Sequence, residues 1–500
     1  MTEEKTVARR AFLKGGIGAS IGAGLGVASL AAEAASPKAR KATRTANYDT
    51  VVLGAGCAGL CCAIEAHDRG GKVVVLEKMG RPDGNTIYSS GRFAGVGSRE
   101  QAGLNESVDA FVKDMMHLSH GFGDPDLLRA YAELSGPTID WVKDLGVPLR
   151  LVKNLPAPSS SRCFFLSGPG ITGGSVLIRQ LLKAAEQRKI PVHYDTKAFD
   201  LITNERRHVT GVHAMTEAGP VDYLARGGVV LATGGFSANP ELVNAYMGGW
   251  ATRLAVRGSR TTTGENILMT KPLHALLVNM DQFYAGPIIP ETHANPARIA
   301  NSAYGIIISR EGRRFLDENL EQAPRSRRIA QLTTDNRSFI IVDAKTDRED
   351  NILTKLLKKF ARLNSPVYQA NSIEELARAA GLPAETTVAT VAEYNGAVAS
   401  QSTAKLNPPI SRKAPHALDT APFYAIPMSG GIAATFGGPK IDTVARVIDF
   451  ERRPIPGLYA AGNAAGGVWY DADIGGYQLG SAAVVGRLAA RDSVARAQKA

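Results

Sequence analysis

Six residues, Gly54-Ala55-Gly56-Cys57-Ala58-Gly59, have the types and spacing to hold a pyrophosphate. Gly54 permits a tight turn, Gly56 lets the main chain approach phosphate oxygens, and Gly59 lets a helix pack closely on a sheet. A helix opening at Ala58 would add its free N–H groups and the positive end of its dipole. Glu77 stands eighteen residues after Gly59, a carboxylate able to accept both hydroxyls of an adenosine ribose. The chemistry is dinucleotide binding, and it needs elements to position it. An apolar run from Thr50 to Leu53 enters the glycines, a small-residue stretch broken at Gly70-Gly71 follows, and Val73 to Leu76 ends on Glu77. The pattern predicts strand, glycine turn, helix and strand.

More clusters of the same kind lie along the chain. Lys78 follows the acid, and Asn85-Thr86-Ile87-Tyr88-Ser89-Ser90-Gly91 comes shortly after. Val229 to Ala232 is an apolar run ending in Thr233-Gly234-Gly235. Gly457-Leu458-Tyr459-Ala460-Ala461-Gly462-Asn463 is another strand-to-turn signal, and Gly475-Gly476-Tyr477-Gln478-Leu479 opens the last helix. A nicotinamide-only domain does not need nucleotide-type turns near both ends of so long a chain, whereas a flavin dinucleotide does.

Five hundred residues exceed one core, so two or three domains are expected. An apolar fraction of 44% and a charged fraction of 21% describe an ordinary soluble globular chain. The net charge of +11 comes from scattered Lys and Arg with no nucleic-acid motif, so nucleic acid is not an expected partner. Arg9-Arg10-Ala11-Phe12-Leu13-Lys14, the Gly- and Ala-rich run from Gly15 to Ala32, and Ala32-Glu33-Ala34 form a twin-arginine signal pattern over residues 1–34. Residues 35–46 read as a linker. The expectation is export to the periplasm, with no stable membrane span after signal cleavage. Of four cysteines, Cys57, Cys61 and Cys62 lie in the turn and its helix and Cys163 is isolated. There is no Cys-x-x-Cys-His for a haem, too few cysteines for an iron–sulfur cluster, and no metal is expected. Electrons beyond those of its own cofactor would come from a separate donor.

These blocks, with Gly312-Arg313-Arg314-Phe315-Leu316-Asp317-Glu318, Ile373-Glu374-Glu375-Leu376-Ala377, Tyr394-Asn395 and Gly466-Gly467-Val468, resemble the flavoprotein family of soluble fumarate reductases and the succinate dehydrogenase flavoprotein subunit. The chain is similar also to urocanate reductase, tricarballylate dehydrogenase and 3-ketosteroid Δ1-dehydrogenase. The resemblance implies an α/β fold: a Rossmann-like FAD-binding domain from 47–240 and 428–500, with an α+β capping domain inserted at 241–427. FAD, held noncovalently, would contact Gly54, Gly56, Ala58, Gly59, Glu77, Lys78, Asn85, Thr86, Ser90, Gly91, Thr233, Gly234, Gly462, Asn463, Gln478 and Leu479. The amphipathic stretch from Ile352 to Leu363 fits a cap helix.

The family's reaction, as the resemblance implies it, moves a hydride between flavin N5 and one carbon of a C=C or CH–CH unit while an acid or base exchanges a proton at the other. In fumarate reductases an arginine beyond the Arg-Phe-x-Asn/Asp-Glu block is the acid. Here the spacing is longer, so Arg325 is the first choice and Arg327 the second, against the plainer reading that both contact Asp317, Glu318 or Glu321. The substrate clamp departs from fumarate reductase: Gly286 replaces a histidine, Ala433-Ala434-Thr435-Phe436-Gly437-Gly438 replaces His-Thr-Met-Gly-Gly, and Asp473 replaces an arginine. A charge-assisted hydrogen bond to a carboxylate contributes roughly 1.5–3 kcal/mol, so losing three disfavours fumarate by about 5–9 kcal/mol. Tyr284, Phe436, Trp469, Tyr470 and Tyr477 suggest a larger, flatter pocket for an apolar or aromatic small-molecule substrate. The expected activity is periplasmic reduction of an activated C=C bond other than fumarate's, fed by a donor such as a c-type cytochrome. Two alternatives stay open: a dehydrogenase of steroid-like ketones or saturated acids, with Tyr284 or Tyr477 as base, and an FAD-bearing electron carrier without its own substrate.

Overall fold

A computed structural model describes residues 44–152, 161–166, 173–301, 304–348, 351–471 and 476–500. The expected signal segment, most of the expected linker, and Asp473 lie outside the described residues. The linker's end is corrected: Arg44 already begins the first strand, Arg44–Leu53, and the described residues belong to one compact unit.

That strand is central in an eight-stranded sheet. Along the main path the order is Arg446–Ile448, Pro454–Ala460, Gly219–Leu231, Arg44–Leu53, Val73–Leu76 and Val192–His193. From Pro454–Ala460 to Val192–His193 every neighbouring pair is parallel. Strands of a parallel sheet are covered on both faces, which is why Val51, Val52 and Val73 to Leu76 are buried without alternation. Four strands finish at the same edge, on Leu53, Leu76, Leu231 and Ala460. The glycine turn, Glu77, Thr233-Gly234 and Gly462-Asn463 each follow one of these ends. Sequence-distant motifs therefore share the carboxyl edge of one sheet, where open α/β folds bind ligands.

A second, six-stranded sheet is organised around Phe423–Thr435. Its first half pairs with Ser338–Asp343 and Tyr368–Ala370, its second half with Phe283–Ile288 and Ala255–Val256. The boundary expected at 427/428 falls inside this strand and is corrected. Thirteen residues held by main-chain hydrogen bonds on both edges cannot be parted midway without leaving buried amides unpaired. The helix Ile352–Arg362 forms as the sequence pattern implied: Leu353, Leu356 and Phe360 are buried, and Lys355, Lys358 and Lys359 are exposed.

Candidate active site

The parallel-sheet edge opens into a cleft of about 530 Å³ that reaches the end of Phe423–Thr435. At one end, Gly54 has φ +108°, and a Cβ there would lie 2.5 Å from the Ala232 carbonyl oxygen. Gly56 gives the helix Cys57–Asp68 no side-chain cap of its own, and Thr86 Oγ1 accepts from the Cys57 amide at 3.1 Å. A carboxylate marks the strand end opposite: Glu77 Oε2 accepts from the Ala55 amide at 2.9 Å and Oε1 from the Met79 amide at 3.0 Å. Burial pushes the Glu77 carboxyl up, while these two amides pull it down. Each oxygen keeps a lone pair for a hydroxyl donor.

Fourteen of the sixteen expected cofactor residues line this cleft: Gly54, Gly56, Ala58, Glu77, Lys78, Asn85, Thr86, Ser90, Thr233, Gly234, Gly462, Asn463, Gln478 and Leu479. Gly59 and Gly91 do not, and their placement is corrected. A Cβ on Gly59 would run into the Gly54 carbonyl oxygen, and one on Gly91 would lie 2.6 Å from Gly173 Cα, so both glycines serve close packing. Asn85 is a tie between elements: its Nδ2 donates to the Ala433 carbonyl at 2.8 Å and its Oδ1 accepts from the Ser259 amide at 2.7 Å. The Lys78 ammonium is bound to Glu265 Oε1 at 2.6 Å. Glu265 Oε2 is buried beside the cleft without a hydrogen-bond partner. A helix start with glycine at its N-cap, a ribose-compatible carboxylate and an orphaned acceptor along one groove suit a dinucleotide.

The other end of the cleft is bordered by Tyr284, Arg257, His293, Asn295, Ala433 and Ala434. Gln322 Nε2 donates to Tyr284 Oη at 2.8 Å, and the Arg257 guanidinium lies 5.8 Å from the tyrosine ring centroid. Neither Arg257 nor Gln322 stands out in the sequence, because nothing in their spacing separates them from other surface-type residues.

Arg325 and Arg327 are not in the cleft. The longer stretch beyond Glu318 contains a helix, Gln322–Leu332, whose first residue meets Tyr284 and whose next turn carries the arginines away. Arg325 is 1% exposed and donates to the Ala300 carbonyl and to Asn301 Oδ1. Burial, with Arg412 nearby, lowers its guanidinium to about 10. Arg327 pairs with Asp471 at 3.0 Å and donates to the Phe283 carbonyl at 2.8 Å. The broad aromatic pocket is corrected as well. Phe436 is buried core, and Tyr470 packs on Phe122 at 4.8 Å. Tyr477 is fully buried against Phe111 at 5.0 Å, and burial pushes its hydroxyl up to about 12. Of the five expected aromatics, Tyr284 alone borders the cleft.

The sequence profile of a family described as an FAD binding domain matches residues 49–482. The chain belongs to this FAD-binding family. This flavoprotein is 29% identical over 460 residues to NADH:fumarate oxidoreductase of Klebsiella pneumoniae (strain 342), covering 90% of this chain and 48%, about half, of that protein. It is 29% identical to the acrylate reductase flavoprotein subunit of Shewanella woodyi, covering 98% and 99% of the two chains. With vinyl phenol reductase of Lactiplantibacillus plantarum it shares 27% identity over 85% of its own length and 91% of the other's. Among solved structures, the open conformation of a flavocytochrome c3 fumarate reductase superposes with a TM-score of 0.79 at 27% identity, covering 91% of this chain and 79% of that one. The flavoprotein is thus an FAD-dependent oxidoreductase whose relatives include an acrylate reductase and a vinyl phenol reductase.

Proposed function

We propose that this enzyme reduces an activated C=C bond, one conjugated to a carboxylate or carbonyl and not that of fumarate, with Tyr284 as proton donor. The observation that carries this reading is the Tyr284–Gln322–Arg257 cluster at the end of the cofactor cleft. When bound, FAD supplies two electrons as a hydride from N5 to one alkene carbon. The neighbouring carbon gains negative charge and needs a proton. Because Gln322 donates to Tyr284 Oη, the tyrosine's own hydrogen is directed elsewhere and is available for transfer. The Arg257 cation over the ring favours the negative charge left on the oxygen. Gly286 and Ala434 bring no hydrogen-bonding side chain, which supports a substrate other than a dicarboxylate.

We propose further that the twin-arginine pattern directs the enzyme to the periplasm and that a separate donor, such as a c-type cytochrome, reduces it, since the 500 residues contain no Cys-x-x-Cys-His. Among the described residues no helix is long and apolar enough to cross a membrane. The test is anaerobic: purified holoenzyme, reduced viologen, and a panel of acrylate, crotonate and cinnamate with their amides and methyl ketones. Dye oxidation by at least one activated alkene is expected. A panel that leaves the dye reduced throughout overturns the reading.

A further inference from the structure

Gly286 and Arg257 account for one another. A Cβ added at Gly286 would fall against Arg257 Nη1 and lie 2.9 Å from Arg257 Cζ and 2.7 Å from Gln322 Nε2, closer than side chains tolerate. The space beside residue 286 is therefore filled by a guanidinium that comes from another strand. Position 286 is where the resemblance to fumarate reductases placed a histidine. Arg257 follows the strand Ala255–Val256, which pairs with Gly431 and Ile432, and its amide donates to the Ile432 carbonyl at 2.8 Å. It is thereby set close in register to Ala433 and Ala434, the second stretch that lacks the expected donor. One cation stands beside two positions that carry none.

Other charged groups of the cleft are engaged or exposed. Glu77 is held by two amides, and Lys78 and Glu265 hold each other. Arg92 is exposed, and exposed His293 lies 3.5 Å from Arg260. Arg257 is half-buried, and among the described residues its guanidinium has no carboxylate partner.

We infer that Arg257 anchors a single carboxylate of the substrate and that Gly286 is a glycine to admit it, an inference that rests on the proposed reduction. The guanidinium offers two parallel N–H donors that match a carboxylate in a way one imidazole does not. Its place over Tyr284 puts the held carboxylate next to the carbon that takes the proton, where charge develops during reduction. The substrate class is an α,β-unsaturated monocarboxylic acid, preferred over its amide or ketone.

The experiment compares holoenzyme carrying Arg257→Gln, Arg257→Lys, Gly286→Ala and the Arg257→Gln/Gly286→Ala pair. KM and kcat are measured for crotonate and cinnamate and for their primary amides, and benzoate is titrated while the oxidised flavin band is recorded. Arg257→Gln is expected to raise the acid KM roughly 10- to 100-fold, as loss of one charge-assisted bond does, and to leave the amide KM within about twofold. Arg257→Lys should recover part of the loss. Gly286→Ala should raise the acid KM in the wild-type background and add less to Arg257→Gln than it costs alone, because one of the two groups it meets, the guanidinium, is then gone while Gln322 Nε2 remains. Benzoate should perturb the flavin band only while Arg257 is present. An equal rise in KM for acid and amide, or flavin loss in Arg257→Gln, overturns the inference and leaves the reduction standing, whereas a kcat loss common to both substrates reports the Arg257 contact with Tyr284. If wild type reduces neither acid nor amide, the proposed reaction falls, and the benzoate titration then judges the anchor alone.

Discussion

Tyr284 and Gln322 are thirty-eight positions apart, yet a 2.8 Å hydrogen bond joins them at the cleft. The amide nitrogen can only donate, so the tyrosine accepts there and keeps its own hydrogen for another acceptor. In the proposed reaction that acceptor is the substrate carbon, and removing the hydroxyl should be costly. Tyr284→Phe is expected to lower kcat by about 10²- to 10⁴-fold, the usual range for a lost general acid, with FAD absorbance unchanged. Stopped-flow reoxidation of the reduced enzyme by crotonate is the measurement. Wild-type rates in the variant would remove Tyr284 from the chemistry. Arg325 shows the converse at the same scale: a buried guanidinium spent on the Ala300 carbonyl and Asn301 is a packing residue however well its position in the sequence suits an acid.

Between elements, the first helix, Cys57–Asp68, is tied to the last, Tyr477–Ala497, through Glu65. Its carboxylate accepts from Arg487 Nε and Arg491 Nε, each at 2.8 Å, and from Arg69 Nε, just past the end of its own helix, at 2.8 Å. Burial lifts the Glu65 carboxyl, but the three guanidiniums outweigh it and hold it down at about 2 instead of the ordinary 4.5. A depressed folded-state value means stability that is fully present above about pH 4.5 and lost as pH falls toward 2. Glu65→Gln should therefore lower stability at pH 7 by on the order of 2 kcal/mol and flatten the acid limb between those values. Urea midpoints at pH 7 and pH 3.5 would show it. A variant with the wild-type pH dependence would mean that the helix pair is held by packing alone.

For the whole molecule, the cofactor groove is assembled from four strand ends and from Asn85, which bonds the glycine-loop side to the second sheet at Ala433 and to the loop after Ala255–Val256 at Ser259. A ligand binding only the folded state adds stability, about 2.7 kcal/mol when its concentration is a hundred times Kd. Guanidinium-assisted gel filtration should release the FAD completely if it is noncovalent. The apoenzyme should melt a few degrees lower and recover both colour and Tm on adding FAD. Flavin that stays with the polypeptide through denaturation would show a covalent bond.

How much of this was legible from one chain follows from distance along it. Gly54 to Glu77 could be read because strand, turn, helix and acid are neighbours whose spacing is set by local geometry, and the later glycine turns announced further strand ends in the same way. The sequence alone thus determined the cofactor fold and the type of nucleotide it holds. Local pattern did not show that Gln322 to Leu332 is a helix beginning at the cleft, so counting residues along that segment chose arginines that bond elsewhere, Arg325 to Ala300 and Asn301 and Arg327 to Asp471. Nor did it show that the strand Phe423–Thr435 runs unbroken past the expected boundary, or that Phe436 and Tyr477 fill core and not cleft. The Tyr284–Gln322–Arg257 grouping joins three separate segments, and only the folding of two sheets against one groove brings them within reach of one another. Spacing along the chain carries chemistry built from neighbours, whereas chemistry built across sheets depends on packing that no single segment encodes.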